Sequence, residues 1–225
     1  MMGVTIKERV IQMAKVFVAG ATGRVGQVTV RELVRKGVRV LAAGRQLDRI
    51  ISDDLVTPVL FSFTWSVDRM KDELKGVDAI IFTAGSRGKD LLQVDLNGAV
   101  KLMNAAKKAG VKRFVMLSSA YSLDQEMWQK VDSLRKLTDY NIAKFFADRW
   151  LIDESGLDYT IVQAGTLTDD LPTGKIDVNP DQAGTNTVTD VAKTLVAALD
   201  QAKTVKKVLM IKNGSHSIEK ALQSL

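Results

Sequence analysis

The sequence predicts an α/β protein, a doubly wound parallel sheet in a single domain. Three observations carry that expectation. Short runs rich in Val, Ile and Phe alternate with segments of helical apolar spacing almost to the end of the chain. Those runs are apolar throughout rather than at every second residue, as strands buried on both faces are. Only three prolines occur in 225 residues, and no Pro/Gly/Ser-rich linker interrupts the alternation. Strands alternating with helices make βαβ units, and right-handed crossovers wind them onto both faces of one sheet.

Taken in order, "AKVFVAG" is the first strand. "RVGQVTVRELVRKG" follows as a helix, with Val30, Leu33 and Val34 on one face and Gly37 as its stop. "VRVLAAGR" is the second strand, a third runs into "VLFSFTWS", and "VDAIIFTAG" and "VKRFVMLSSA" come next. Between those last two, "DLNGAVKLMNAAKKAG" has helical spacing at Leu96, Val100, Met103 and Ala106, closed by Gly110. The helix "YNIAKFFADRWLIDESG", the strand "LDYTIVQAG", the helix "TVTDVAKTLVAAL" and the strand "KKVLMIK" complete the series. Residues 1–12 read as an N-terminal extension and residues 13–225 as the domain. Segments 86–93, 121–139 and 166–186 are the expected substrate loops, and 121–139 is the least regular of them.

Composition excludes several functions. There is no cysteine, so disulfides and thiolate chemistry are out, and a single His argues against a zinc site. No run approaches the ~18 apolar residues of a membrane span. "MMGVTIKERVIQMAK" has no apolar core of a signal peptide, which points to the cytoplasm. Net charge is +6, but the cations are scattered through "KERVIQMAK", "VRKGVR", "AAKKAGVKR" and "QAKTVKK" without interleaved aromatics. That pattern is a solvated surface tolerant of anions rather than a nucleic-acid footprint. A small-molecule substrate is expected, with neither membrane nor nucleic acid as partner; nothing selects an oligomeric state.

The chemistry begins at "VFVAGATGRVG", where three glycines, Gly20, Gly23 and Gly26, join a strand to a helix. Glycine is entropically expensive there unless the backbone must turn tightly or approach something closely. In a doubly wound sheet the first strand–helix turn is a phosphate site: one glycine turns, one admits a pyrophosphate, one lets the helix pack on the strand. The helix N-terminus adds amide donors and a positive dipole end.

The spacing Gly-x-x-Gly-x-x-Gly, with Ala-Thr before the middle glycine, resembles the short-chain dehydrogenase/reductase superfamily. The likeness is greatest to its atypical and extended branch of NmrA-like and flavin-reductase-like proteins. It extends from Met13 through "AAGR", "DAIIFTAGS", "VDLNGAVKLMNAAKKAGVKRFVMLSS", "YNIAK" and "SGLDYTIVQAGTLTDD". It implies a Rossmann-like sheet holding a nicotinamide dinucleotide. The implied cofactor contacts are Gly20, Thr22, Gly23, Arg24, Val25 and Gly26 in the first turn. Thr83, Ala84 and Gly85 lie beside the ribose, and Lys144, Ala164 and Gly165 on the nicotinamide side.

The end of the second strand selects the cofactor. An acidic residue there holds the ribose 2′-hydroxyl of NAD, whereas an Arg takes the 2′-phosphate of NADP. "LAAGR" ends in Arg45, with Arg49 a turn later, so NADP(H) is expected over NAD(H). No acidic turn follows the third strand, so an adenine contact falls to backbone, Ser62 or Thr64.

The resemblance makes Tyr140 and Lys144 the catalytic pair. Four residues apart, they share a helix face. A free phenol titrates near ~10, and a neighbouring ammonium favours its ionised form. Tyrosine then gives a proton to a carbonyl oxygen as hydride arrives. Ser118 or Ser119 polarises the same oxygen, with Ser119 preferred. Asn97 is where relatives place a residue that orders the site. "VQAG" stands in place of a Pro-Gly turn after a basic residue. No metal is expected; Asp169 and Asp170 cap a loop, and His216 is loop filler. Trp65, Trp128 and Trp150 are expected in the core or the pocket wall.

The leading expectation is an NADP(H)-dependent oxidoreductase acting on a carbonyl or flavin-like acceptor. The alternative is a non-catalytic NADP(H)-binding redox sensor acting on a protein partner. A nucleotide-sugar epimerase ranks last, because the chain ends soon after its last strand.

Overall fold

The computed structural model describes residues 15–225, so the expected extension over residues 1–12 lies outside it. Strand β1 (Lys15–Ala19) leads into α1 (Arg24–Arg35), and β2 (Arg39–Gly44) into a 3-10 turn (Leu47–Arg49) and β3 (Val56–Leu60). Next come α2 (Val67–Asp72), β4 (Ala79–Phe82), a π-helical stretch (Leu91–Leu96) that runs into α3 (Asn97–Ala109), and β5 (Arg113–Ser119). Two short helices, α4 (Gln125–Lys130) and α5 (Asp132–Arg135), precede the long α6 (Thr138–Asp153) and β6 (Asp158–Ala164). The rest is β7 (Thr166–Thr168), β8 (Lys175–Val178), β9 (Thr185–Thr187), α7 (Val188–Asp200), β10 (Lys207–Asn213), β11 (His216–Ser217) and α8 (Ile218–Gln223).

The main sheet runs β11-β8-β10-β6-β5-β4-β1-β2-β3. Pairing is parallel from β3 to β10, as the apolar runs predict. The strand order reverses at β1, which has β2 on one side and β4 on the other. Strand alternation divides the core between two faces. Val16, Val18, Ile81 and Val115 pack with Leu33 of α1, Leu195 of α7 and Leu222 of α8. Phe17, Ile80, Phe82 and Phe114 pack on the other face with Leu102 of α3 and Leu151 of α6. That two-sided burial is why the strands read as continuous apolar runs.

Two features differ from expectation. The strands β8 and β11 close one edge in antiparallel pairing, and β7 and β9 form a separate two-stranded ribbon. They are too short to show a period in the sequence. Segment 121–139 is not loop throughout: Asp124 caps α4 by accepting from the Met127 amide at 3.3 Å. Trp128 anchors it, buried edge-on to Phe145, with its indole N–H donating to the Tyr121 carbonyl at 2.8 Å.

At the amino end of β5 the half-buried Arg113 reaches the carbonyls of Asp158 (2.7 Å) and Ala198 (2.6 Å) and the hydroxyls of Thr160 (2.8 Å) and Thr204 (3.1 Å). Burial pulls its guanidinium down to about 10, opposed by Asp158 and Asp200. This clamp ties β5, β6 and α7 together at the end of the sheet opposite the site. No helix among the described residues is long and apolar enough to cross a membrane.

Candidate functional site

The turn between β1 and α1 shows what its glycines are for. Gly20 has φ +86°, and a Cβ there would stand 2.7 Å from the backbone of Ala84. It therefore needs glycine twice over, for the left-handed conformation and for the approach of β4. A Cβ on Gly26 would lie 2.1 Å from the Gly20 carbonyl oxygen, so the bare Cα lets α1 seat against the turn. Gly26 thus packs beneath the site and does not face it. Gly23 is the N-cap of α1 with no side chain capping it, and the first turn carries no acidic residue. Its amides and positive dipole end are left to an anion.

A cleft of about 1100 Å³ opens at the carboxyl ends of the strands, across the reversal point at β1. Its wall includes Gly20, Thr22, Gly23, Arg24, Val25, Arg45, Thr83, Ala84, Gly85, Ser118, Ser119, Tyr140, Lys144, Ala164 and Gly165. Every expected catalytic and cofactor residue except Gly26 is there, and Asn97 stands outside the wall as well.

At one end Arg45 and Arg49 both line the cleft and are exposed. Arg49 donates to the Gln46 side-chain oxygen at 3.3 Å. The carboxylates in the wall, Asp90 and Asp95, follow β4 and not β2. Beyond β3 the wall is Phe61, Phe63, Ser62 and Thr64, with the two hydroxyls 2.8 Å apart. Arg24 reaches across to Asp169 at 2.8 Å, an exposed pair that joins the glycine turn to the segment after β7. Asp169 is therefore an ion-pair partner, and no metal-binding cluster occurs among the described residues.

In the middle, the Thr83 hydroxyl donates to the Ala19 carbonyl at 3.0 Å and stitches β4 to the end of β1. The residue that orders this part of the site is Asp95, not Asn97. Asp95 is buried, and its carboxylate accepts from the Ser86 amide at 2.9 Å. Asn97 is exposed and turned to Gln93 at 3.4 Å. The π-helical winding before α3 shifts which residue of "VDLN" points inward, and helical spacing alone could not show that.

At the other end stand Tyr140 and Lys144, one turn apart on α6. The Lys144 ammonium donates to the Leu117 carbonyl at 3.0 Å and is 3% exposed. The Tyr140 and Ser119 hydroxyls have no partner among the described residues. Ser118, on the opposite face of β5, donates to Asp148 at 2.7 Å. Asp148 also accepts from Ser122, which accepts from Gln163 at 2.6 Å. Burial pushes the Asp148 carboxyl up to about 6, against the pull of Lys144 and of the two serine hydroxyls. Packing sets the two serines apart, since Ser118 is engaged by Asp148 and Ser119 is not, and Gln163 serves that buried network. Asp148 itself lies at Lys144 plus four, a spacing that extends the Tyr140–Lys144 face by one more turn.

Gly165 donates its amide to Asn186 at 3.0 Å, and a Cβ on it would meet the Gly184 carbonyl oxygen at 2.0 Å. That close approach presents Ala164 and Gly165 to the cleft. None of the three tryptophans lines it: Trp65 packs on Phe61 under Arg69, Trp128 is buried, and Trp150 is 39% exposed. His216 is not loop filler; it sits on β11 with its ring 3.1 Å from Asp177 at the sheet edge.

Known proteins share this architecture. The profile of a family described as NAD(P)H-binding matches residues 20–202. The chain is 34% identical over 219 residues to the "Uncharacterized sugar epimerase YhfK" of Bacillus subtilis, covering 94% of this chain and 100% of that protein. The solved structure of the oxidoreductase ylbE from Lactococcus lactis superposes with a TM-score of 0.91 at 43% identity, over 94% of this chain and 96% of that one. A short-chain dehydrogenase/reductase from Veillonella parvula in complex with NADP shares the fold, with a TM-score of 0.71, 18% identity, and coverage of 92% and 98%. With the glycine turn, the reversed strand order and the cleft between them, these likenesses identify the chain as a member of the NAD(P)H-binding family.

Proposed function

We propose that the protein is an NADP(H)-dependent oxidoreductase that reduces a carbonyl or flavin-like acceptor. The observation that carries this reading is the polarity of one cleft. Its glycine turn and exposed Arg45 and Arg49 stand at one side, and the unpartnered hydroxyls of Tyr140 and Ser119 at the other.

The residues present fit a dinucleotide. The first turn of α1 has uncapped amides, no side chain on its N-cap Gly23 and no carboxylate to repel phosphate. Arg45, with Arg49 behind it, would take a 2′-phosphate through planar, bidentate donors. Thr83, Ala84 and Gly85 would flank the ribose. When bound, the dinucleotide supplies the hydride. Tyr140 donates its hydroxyl proton to the acceptor oxygen, and Ser119 donates a hydrogen bond to the same oxygen. Lys144, one turn further along α6 and lining the same cleft, would hold the ribose on the nicotinamide side.

Parallel fluorescence titrations with NADPH and NADH, followed by an acceptor screen, test the reading. Tighter NADPH binding with turnover of an acceptor is expected. Binding without turnover of any acceptor would leave a redox sensor. Turnover of a nucleotide sugar with no net change in cofactor would instead favour the epimerase named in the Bacillus subtilis relative.

A further inference from the structure

We propose that Asp148 is a positioning residue for this site. It withdraws Ser118 from the reaction, leaves Ser119 as the hydroxyl presented to the acceptor, and ties the inward hold on Lys144 to one buried proton. The role rests on the reading of the cleft as a dinucleotide site.

The hydrogen bonds around Asp148 are directional. Gln163 donates to the Ser122 oxygen, so the Ser122 hydroxyl hydrogen is turned to Asp148. Ser118 donates to the same oxygen, Oδ2. The other oxygen, Oδ1, is buried and has no partner. A purely structural acceptor would need only the satisfied oxygen. A bare carboxylate oxygen in a fully buried side chain carries charge that no hydrogen bond offsets. Such a group is expensive for folding alone.

Its surroundings explain what the charge can do. On α6 itself the charged neighbour is Lys144, one turn away. Among the described residues, β5 and the loop after it bring only the Ser118 and Ser122 hydroxyls, and β6 only Gln163, through Ser122. Lys144 is not locked onto the carboxylate. Its ammonium rests on the Leu117 carbonyl while its side chain lines the cleft. The carboxylate therefore attracts the ammonium inward through space, and a ligand that engages Lys144 competes with that pull. Protonation of Asp148 removes the attraction without moving the hydroxyls that hold the carboxyl in place. Burial places that protonation near pH 6, close to neutral conditions.

The test is calorimetric titration with NADP⁺ from pH 5 to pH 8, using the wild-type chain and Asp148→Asn in parallel. The 2′-phosphate of the probe titrates in the same range, but equally for both proteins, so the difference between them belongs to residue 148. Relative to the variant, the wild type is expected to lose about three- to tenfold in affinity as pH rises through 6. That loss corresponds to a carboxyl whose pKa is higher by about 0.5–1 with ligand bound than without. Identical pH dependence in the two proteins would overturn the proposal and leave the cofactor reading intact. Folded proteins that bind no NADP⁺ at any pH would overturn both. Should Asp148→Asn not fold, Ser122→Ala keeps the carboxyl and removes one donor from Oδ2. The step should then move to higher pH, and an unmoved step would overturn the role.

Discussion

Asp148→Asn also makes a prediction about stability that needs no ligand. The carboxyl has an ordinary value of 3.8 and stands at about 6 in the folded chain, raised by burial. Below pH 3.8 both folded and unfolded states are protonated, and the group adds no pH-dependent penalty. Between the two values the unfolded chain gives up the proton while the folded chain keeps it, so stability falls as pH rises. Above about 6 the penalty is complete. The two values lie about 2 apart, and at about 1.4 kcal/mol for each pH unit the full penalty is about 3 kcal/mol. That is a large share of the roughly 5–15 kcal/mol that holds a domain folded. Asparagine has no proton to lose. Its oxygen can still accept from Ser118 and Ser122, but its amide takes the place of the unpartnered Oδ1, a cost of about 1–3 kcal/mol at every pH. Urea unfolding of both proteins at several pH values between 4 and 8 measures the difference. The variant should be the less stable protein near pH 4 and draw level with or pass the wild type at pH 8, the gap changing by about 3 kcal/mol. Parallel stability curves would refute the buried charge and its assignment to Asp148.

Arg45→Ala should weaken NADPH binding about ten- to hundredfold, the range for losing one charge-assisted contact, and leave NADH nearly unchanged; side-by-side fluorescence titration checks it. Tyr140→Phe should lower turnover on a cognate acceptor by about 10²–10⁴ while dinucleotide affinity is retained, read as kcat against Kd. Gly26→Ala places a methyl against the Gly20 carbonyl oxygen, so it should cost about 1–3 kcal/mol in thermal melts and weaken cofactor binding through the displaced turn. Arg113→Lys replaces a planar fork with a single ammonium that cannot reach four groups at once. It should cost about 2–3 kcal/mol of stability and leave the cleft's affinity for NADPH unchanged.

Much of the molecule was legible as a string. The glycine turn is local: its strand, its three glycines and its helix lie within about 20 residues, and the constraint acts between neighbours in sequence. The place of Arg45 in the cleft was legible because it directly follows β2, at the carboxyl end of the sheet. Tyr140 and Lys144 were legible because helical spacing puts them on one face. Central parallel strands announce themselves by continuous apolar runs, a direct consequence of burial on both sides. Strands β8 and β11 did not, since four and two residues show no period and their pairing depends on β10 and on each other.

The fold class, the glycine turn and the helix that carries Tyr140 and Lys144 each follow from order along the chain. Tertiary structure decided the rest. Whether the hydroxyl of Ser118 or of Ser119 is left without a protein partner depends on which face of β5 meets Asp148. Whether Asp95 or Asn97 reaches the site depends on a π-helical winding. Asp148 becomes a buried, half-satisfied charge only when β5, its following loop and β6 close over α6. Burial and hydrogen bonding between segments distant in sequence are properties of the packed chain, and they turn ordinary residues into a site.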